Sequence, residues 1–220
     1  MEKLKNTDAL PVTQWRFSLQ QEDIAEQLAN EFGILPVMSK ILMSRNIVNL
    51  IDAKKYLFPS LNDLHNPFLI KDMDKAVHRV IQAIQRKEKI VVFGDYDADG
   101  ITSIAVMLKF LCGLLPETDF YIPDRIEEGY GLNRGAIDLL KRRSVDLIIT
   151  VDCGVSDLEC VAYAATLGID TIILDHHEVP EILPPAIAVI NPHRPDCPFP
   201  FKHLAGVGIA FNFLISLDRK

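Results

Sequence analysis

Long apolar runs are missing from this chain of 220 residues, and none reaches the length that spans a bilayer. Met1 to Gln21 lacks the apolar core and small-residue cleavage site of a signal peptide, so export is not expected. Cysteine is scarce. Cys112, Cys153, Cys160 and Cys197 form no Cys-x-x-Cys pair and no crowded framework, which fits reduced, partly buried thiols in a cytoplasmic protein. A basic excess is also missing: the formal net charge is −7, which argues against a generally basic nucleic-acid binder. It does not argue against a metal-dependent nuclease, whose acids gather round cations that reverse the local sign. The hydrophobic fraction of 49% and charged fraction of 24% are those of a soluble globular protein. The length suits one large domain, or a small one joined to a medium one.

What is present centres on Asp95-Tyr96-Asp97-Ala98-Asp99-Gly100. Ile90 to Phe93 before it is short, apolar and β-branched, as in a buried strand, and Ile101 to Leu115 after it predicts a helix. Three carboxylates thus fall at a strand-to-helix turn, with Gly100 permitting a sharp bend; on an extended chain Asp97 and Asp99 would converge. Their mutual repulsion is most simply relieved by a divalent cation. An EF-hand loop begins the same way, but its twelfth position would be Val106 instead of Glu, and a strand precedes it. An aspartyl-phosphate phosphatase, with Asp97 as nucleophile and Asp99 as acid/base, would need a placed lysine and further acids downstream. The bland alternative is a solvated acidic turn.

Residues 1–88 read as a helical leader packed on the core. Helices are expected over Gln21–Phe32, Ser39–Leu50, Asp52–Leu57 and, with a clear apolar stripe, Met73–Lys87. From residue 89 the pattern becomes strand and helix in alternation. Strands are predicted at Asp119–Pro123, Asp146–Val151, Asp170–Leu174 and Ala186–Ile190. Helices are predicted after an Asn133 cap, after a Ser156 cap, and at Gly206–Leu217. This is an α/β domain with a largely parallel sheet flanked by helices.

The acidic and histidine clusters at Asp95–Asp99, at Asp152 and at Asp175-His176-His177 all follow predicted strands, so one sheet edge would gather them. Oxygen ligands plus imidazole suit Mn²⁺ or Mg²⁺ better than a closed Zn²⁺ site. Two ions about 3.5–4 Å apart, bridged by Asp152, would clamp a phosphate. Adjacent histidines on a strand would face opposite ways, so His176 is assigned to a metal and His177 to the scissile phosphate. Arg125, in a glycine-rich loop, either forks onto a terminal phosphate or pairs with Glu127 or Glu128 at the surface. Lys141-Arg142-Arg143 reads as a solvated helix end.

With Gly94–Thr102, Ile122–Arg125, Glu128–Leu132, Val151–Gly154, Asp175–His177 and His203–Gly208 in order, the chain resembles the DHH phosphoesterase superfamily, and within it the RecJ-type single-strand DNA exonucleases. The resemblance implies metal ligands at Asp97, Asp99, Asp152 and His176, with Asp95 a ligand or close beside one. It implies His177 at the reacting phosphate, Arg125 at the 5′-phosphate end, and 5′→3′ digestion of single-stranded DNA in recombination and repair. It also implies a further metal-binding aspartate, a second lobe and an OB-fold beyond Lys220, so the catalytic core is expected to be incomplete. The C-terminal lobe, as a separate chain, is then an expected partner beside single-stranded DNA. Rival readings are a phosphodiesterase of short oligonucleotides or cyclic dinucleotides, and a non-catalytic metal- or DNA-binding fragment.

Overall fold

The structure, a computed structural model, describes residues 22–220; the expectation about export rests on residues outside that range. Two compact units divide at Leu64/His65. In the first, α1 (Glu22–Phe32), α2 (Pro36–Ser44) and α3 (Leu50–Leu57) bury Ala25, Leu28, Leu42, Met43 and Ala53 in a small core. Here α2 begins and ends earlier than Ser39–Leu50. Pro36 suits a first helical turn, and the left-handed backbone of Asn46 ends the helix well before Leu50. Asn49 then caps α3 by accepting the Asp52 amide at 2.9 Å.

The second unit starts at His65, and its first α-helix is α4 (Met73–Arg86). Met73, Ala76, Val77, Val80 and Ala83 form the helical stripe that drives α4 onto the sheet. The Arg79 guanidinium adds a fixed tie, 2.6 Å from both Asp170 and Glu88.

Five parallel strands follow in the spatial order β2-β1-β3-β4-β5: β1 (Ile90–Gly94), β2 (Asp119–Tyr121), β3 (Leu147–Val151), β4 (Asp170–Leu174) and β5 (Ala188–Ile190). Every residue of β1 and β3 is buried, as expected of central parallel strands covered on both faces. The helices α4, α5 (Ala98–Leu114) and α8 (Gly206–Asp218) cover the face of Ile90, Val92, Ile149 and Leu174. The opposite face, with Val91, Phe93, Ile148 and Ile173, is covered by α6 (Arg134–Arg142) and α7 (Leu158–Thr166). Because β2 and β3 lie on opposite sides of β1, the chain reverses direction across the sheet there. The crevice beyond the ends of β1 and β3 is therefore where such a sheet binds its ligand.

Candidate metal centre

Asp95 leaves the end of β1, 6% exposed, and folds back so that its carboxylate accepts its neighbour's amide, Tyr96 N, at 2.7 Å. Burial, then the charge of Asp97, pushes it above the ordinary carboxylate range. Asp97 is the N-cap of α5, its Oδ1 accepting Asp99 N and Gly100 N, both at 2.9 Å. Those amides, Gly100 first, hold it low. The helix therefore starts at Ala98, three residues before the expected Ile101, and Asp99 belongs to its first turn. Convergence of Asp97 and Asp99 along an extended chain does not occur. Asp99 turns away to accept Gly206 N at 2.6 Å and Val207 N at 2.9 Å, so it caps α8 from another element.

Asp152 follows β3 in a left-handed conformation, φ 60°, and is 1% exposed. Its carboxylate belongs to two donor groups at once, one with Asp95 and Asp97 and one with His176 and His177. Burial, then Asp99 and Asp97, pushes it up to about 8. Gly206 is packed so closely that a Cβ there would come within 2.7 Å of Asp152 Oδ1.

His176 and His177 lie past the end of β4, and this changes the expectation of opposite faces. Freed from the pleat, their rings sit 4.7 Å apart on one side. His176 Nδ1 is 3.1 Å from the Leu204 carbonyl, which assigns its proton to Nδ1 and leaves Nε2 as a lone pair. That Nε2 stands 2.9 Å from Asp152 Oδ1 and 3.8 Å from Asp99 Oδ2. His177 Nδ1 lies 2.7 Å from Asp175 Oδ1, whose hydrogen bond, and then its charge, raises the imidazole above its ordinary value. Nε2 is thereby left clear of Asp175, and the imidazole belongs to one donor group with Asp152 and His176.

Asp175 matches a ligand by residue type, but the structure removes it from the ligand set. Burial alone would raise its carboxyl. Val155 N, the His176 and His177 amides, and His177 Nδ1 outweigh that and hold it low. It organises the histidines from beneath. Arg125 extends over the Tyr96 ring, 5.3 Å from its centroid, and forms no ion pair with Glu127 or Glu128 among the described residues. Glu128 is instead engaged by Tyr121 Oη and Asp124 N.

The donor set fits a divalent cation. Asp152 Oδ1 is buried without a hydrogen-bond partner, and it faces an unprotonated imidazole nitrogen. Three crowded acids and neutral nitrogen are what Mn²⁺ or Mg²⁺ coordination uses. Two contributors escaped the sequence. The Leu204–Val207 segment supplies a carbonyl to His176 and amides to Asp99; only its Gly206 hinted at close approach. Tyr130 donates its hydroxyl to the Asp152 carbonyl at 3.0 Å, and its ring meets His177 edge-on at 5.9 Å.

Residues 89–220 match the DHH family, N-terminal domain. The chain is 42% identical to the single-stranded-DNA-specific exonuclease RecJ of Bacillus subtilis (strain 168), over 92% of this chain and 26% of that one. A solved RecJ from Thermus thermophilus, in complex with Mn²⁺, is 25% identical with a TM-score of 0.68, over 90% of this chain and 27% of that chain. An exonuclease RecJ bound to manganese is 31% identical with a TM-score of 0.62, over 68% of this chain and 38% of that chain. The chain spans between 24% and 35% of the length of the curated relatives it matches. With its Asp-His-His triplet at the end of β4 and its acids at the ends of β1 and β3, this chain belongs to the DHH family.

Proposed function

We propose that this chain is the N-terminal catalytic region of a single-stranded-DNA-specific exonuclease that hydrolyses phosphodiester bonds in the 5′→3′ direction, in DNA recombination and repair. The observation that carries the reading is the position of Asp152, shared between two donor groups at the switch point of the sheet. Asp95, Asp97 and Asp152 would hold one Mn²⁺ or Mg²⁺ ion; Asp152 and His176, with Asp99 3.8 Å beyond the imidazole, would hold the second. Bound there, the ions would supply Lewis-acid charge at the phosphodiester.

The remaining work falls to side chains. His177, kept proton-rich by Asp175, presents Nε2 toward the scissile phosphate and neutralises charge there. Arg125, fixed over Tyr96, offers a planar fork to the 5′-phosphate and so orients the strand. Asp175 holds the His177 ring in one tautomer and one pose. The thiols at Cys112, Cys153, Cys160 and Cys197 are all unpaired, in keeping with a cytoplasmic setting.

The test is Mn²⁺ titration and digestion of 5′-end-labelled single-stranded DNA by this chain and by Asp152→Ala. The expected result is Mn²⁺ binding that the substitution removes, with any release of nucleotides removed alongside it. Unchanged Mn²⁺ binding by Asp152→Ala would overturn the two-ion assignment. Hydrolysis of cyclic dinucleotides in preference to single strands would overturn the substrate.

A further inference from the structure

Tyr130 is brought to the metal centre by backbone geometry that its neighbours enforce. Gly129 and Gly131 flank it with φ of 80° and 79°, a region costly for any side-chain-bearing residue. At Gly131 a Cβ would lie 2.7 Å from Asp157 Oδ2, the oxygen that accepts Leu132 N at 2.7 Å. The loop is therefore nailed to the turn before α7, and Tyr130 projects from it across the ends of β3 and β4.

The phenol oxygen meets both halves of the site. It donates to the carbonyl of Asp152 at 3.0 Å, and it lies 3.4 Å from His177 Nδ1. The carbonyl needs such a partner: the left-handed turn at Asp152 takes this peptide out of the β3–β4 ladder, whose last bond is Asp152 N to Leu174 O. The imidazole contact is directional too. Since Nδ1–H points to Asp175, 2.7 Å away, the longer approach of the phenol oxygen comes as a second acceptor on the same proton. One hydroxyl thus touches the backbone of the shared carboxylate's residue and the His177 ring. The tyrosine is 51% exposed, so its aromatic body contributes little to any core.

We propose that Tyr130 is a positioning residue that locks Asp152 and His177 into a single unit through its hydroxyl. This deepens the reading of the site as a two-ion phosphodiesterase centre and rests on it for the role of the ions. Residues that hold a ligand from behind commonly change metal affinity by about 10–100-fold when altered. Removing only the hydroxyl should fall near the lower end of that range.

The experiment compares the unsubstituted chain with Tyr130→Phe by Mn²⁺ titration and by ¹H–¹⁵N spectra of the imidazoles. The expected result is Mn²⁺ affinity about tenfold weaker, with His177 ring signals shifted and those of His193 and His203 unmoved. A merely structural tyrosine would leave the His177 signals where they were. Mn²⁺ affinity within about twofold together with unmoved His177 signals overturns the proposal. If neither chain binds Mn²⁺, the two-ion reading fails separately, and the His177 signals alone decide the lock. Should Tyr130→Phe not fold, the unsubstituted chain decides: a Tyr130 hydroxyl proton protected from exchange and close to the His177 ring supports the lock, and a freely exchanging hydroxyl overturns it.

Discussion

His176 Nε2 and Asp152 Oδ1 face each other at 2.9 Å, and the Leu204 carbonyl takes the imidazole proton at Nδ1, so the ring brings no proton of its own to this contact. Without metal, the proton that Asp152 retains below about pH 8 can lie between them, and its release leaves a nitrogen and an oxygen placed for a cation. His176→Ala should therefore weaken Mn²⁺ binding by at least about 100-fold, more than any residue acting from behind. Isothermal titration of the folded variant checks it; an affinity near that of the parent would remove His176 from the ligand set.

Asp152 makes metal-free stability depend on pH in an unusual sense. Its folded carboxyl titrates at about 8, against 3.8 for the free side chain. Between those values the unfolded chain has released the proton and the folded chain retains it, so stability falls as pH rises. Asp152→Asn, which cannot ionise, should flatten that decline. Above pH 8 it should make the metal-free chain about 1–3 kcal/mol more stable than the parent. Mn²⁺ should stabilise the parent and leave Asp152→Asn almost unmoved. Thermal melts across that range with and without Mn²⁺ decide; a parent that gains stability toward alkaline pH without metal would contradict the argument.

Gly206 offers a steric test of the same carboxylate. The Cβ of Gly206→Ala would come within 2.7 Å of Asp152 Oδ1 and 3.0 Å of its Cβ, in a place where Asp152 has nowhere to retreat. Overpacking of this kind costs about 1–3 kcal/mol. The α8 amides that hold Asp99 would move with it. Lower melting temperature and weaker Mn²⁺ binding should appear together, and a variant melting like the parent would show that the clasp can give.

Much of this centre was legible in the residue order, for a physical reason. Parallel strands bury both faces, so Ile90–Phe93 and Leu147–Val151 stand out as short β-branched runs, and polar residues directly after them must lie at one edge. Less legible were features decided by side-chain hydrogen bonds to backbone. Asp97 caps α5 and pulls its start back to Ala98, and α7 starts after Asp157 where Ser156 was the expected cap. Asp175 illustrates the limit well: as a residue type it matches a ligand, and only four converging N–H donors reveal a support. Contacts from afar, such as Asp99 to Gly206 and Tyr130 to Asp152, span sequence distances that no local pattern encodes.

That support gives Asp175 its own test. Asp175→Asn keeps the shape but turns an acceptor of four N–H groups into a weaker one that also carries donors. A loss of about 2–4 kcal/mol is expected above about pH 5, because the folded carboxyl is held low and its contribution is present once it ionises. His177 should at the same time titrate lower, having lost the carboxylate hydrogen bond and charge that raise it. Both observations are accessible by thermal melts and by NMR titration of the imidazole, and an unshifted His177 would break the link between them.

Arg125 separates recognition of the strand's end from hydrolysis. Its guanidinium lies over Tyr96, next in sequence to Asp95, and Arg125 lowers the Asp95 carboxyl that burial raises. A fork held there suits a terminal phosphate dianion, and a charge-assisted pair of this kind is worth about 1.5–3 kcal/mol. Arg125→Ala should therefore weaken binding of a 5′-phosphorylated single-stranded oligonucleotide about 10–100-fold. Binding of the same oligonucleotide with a 5′-hydroxyl should change little, and Mn²⁺ affinity should not fall, since only a positive charge beside Asp95 is removed. Fluorescence anisotropy with the two oligonucleotides reads the difference directly. Equal losses on both would mean that Arg125 serves the backbone generally, and the terminal phosphate would then need another partner.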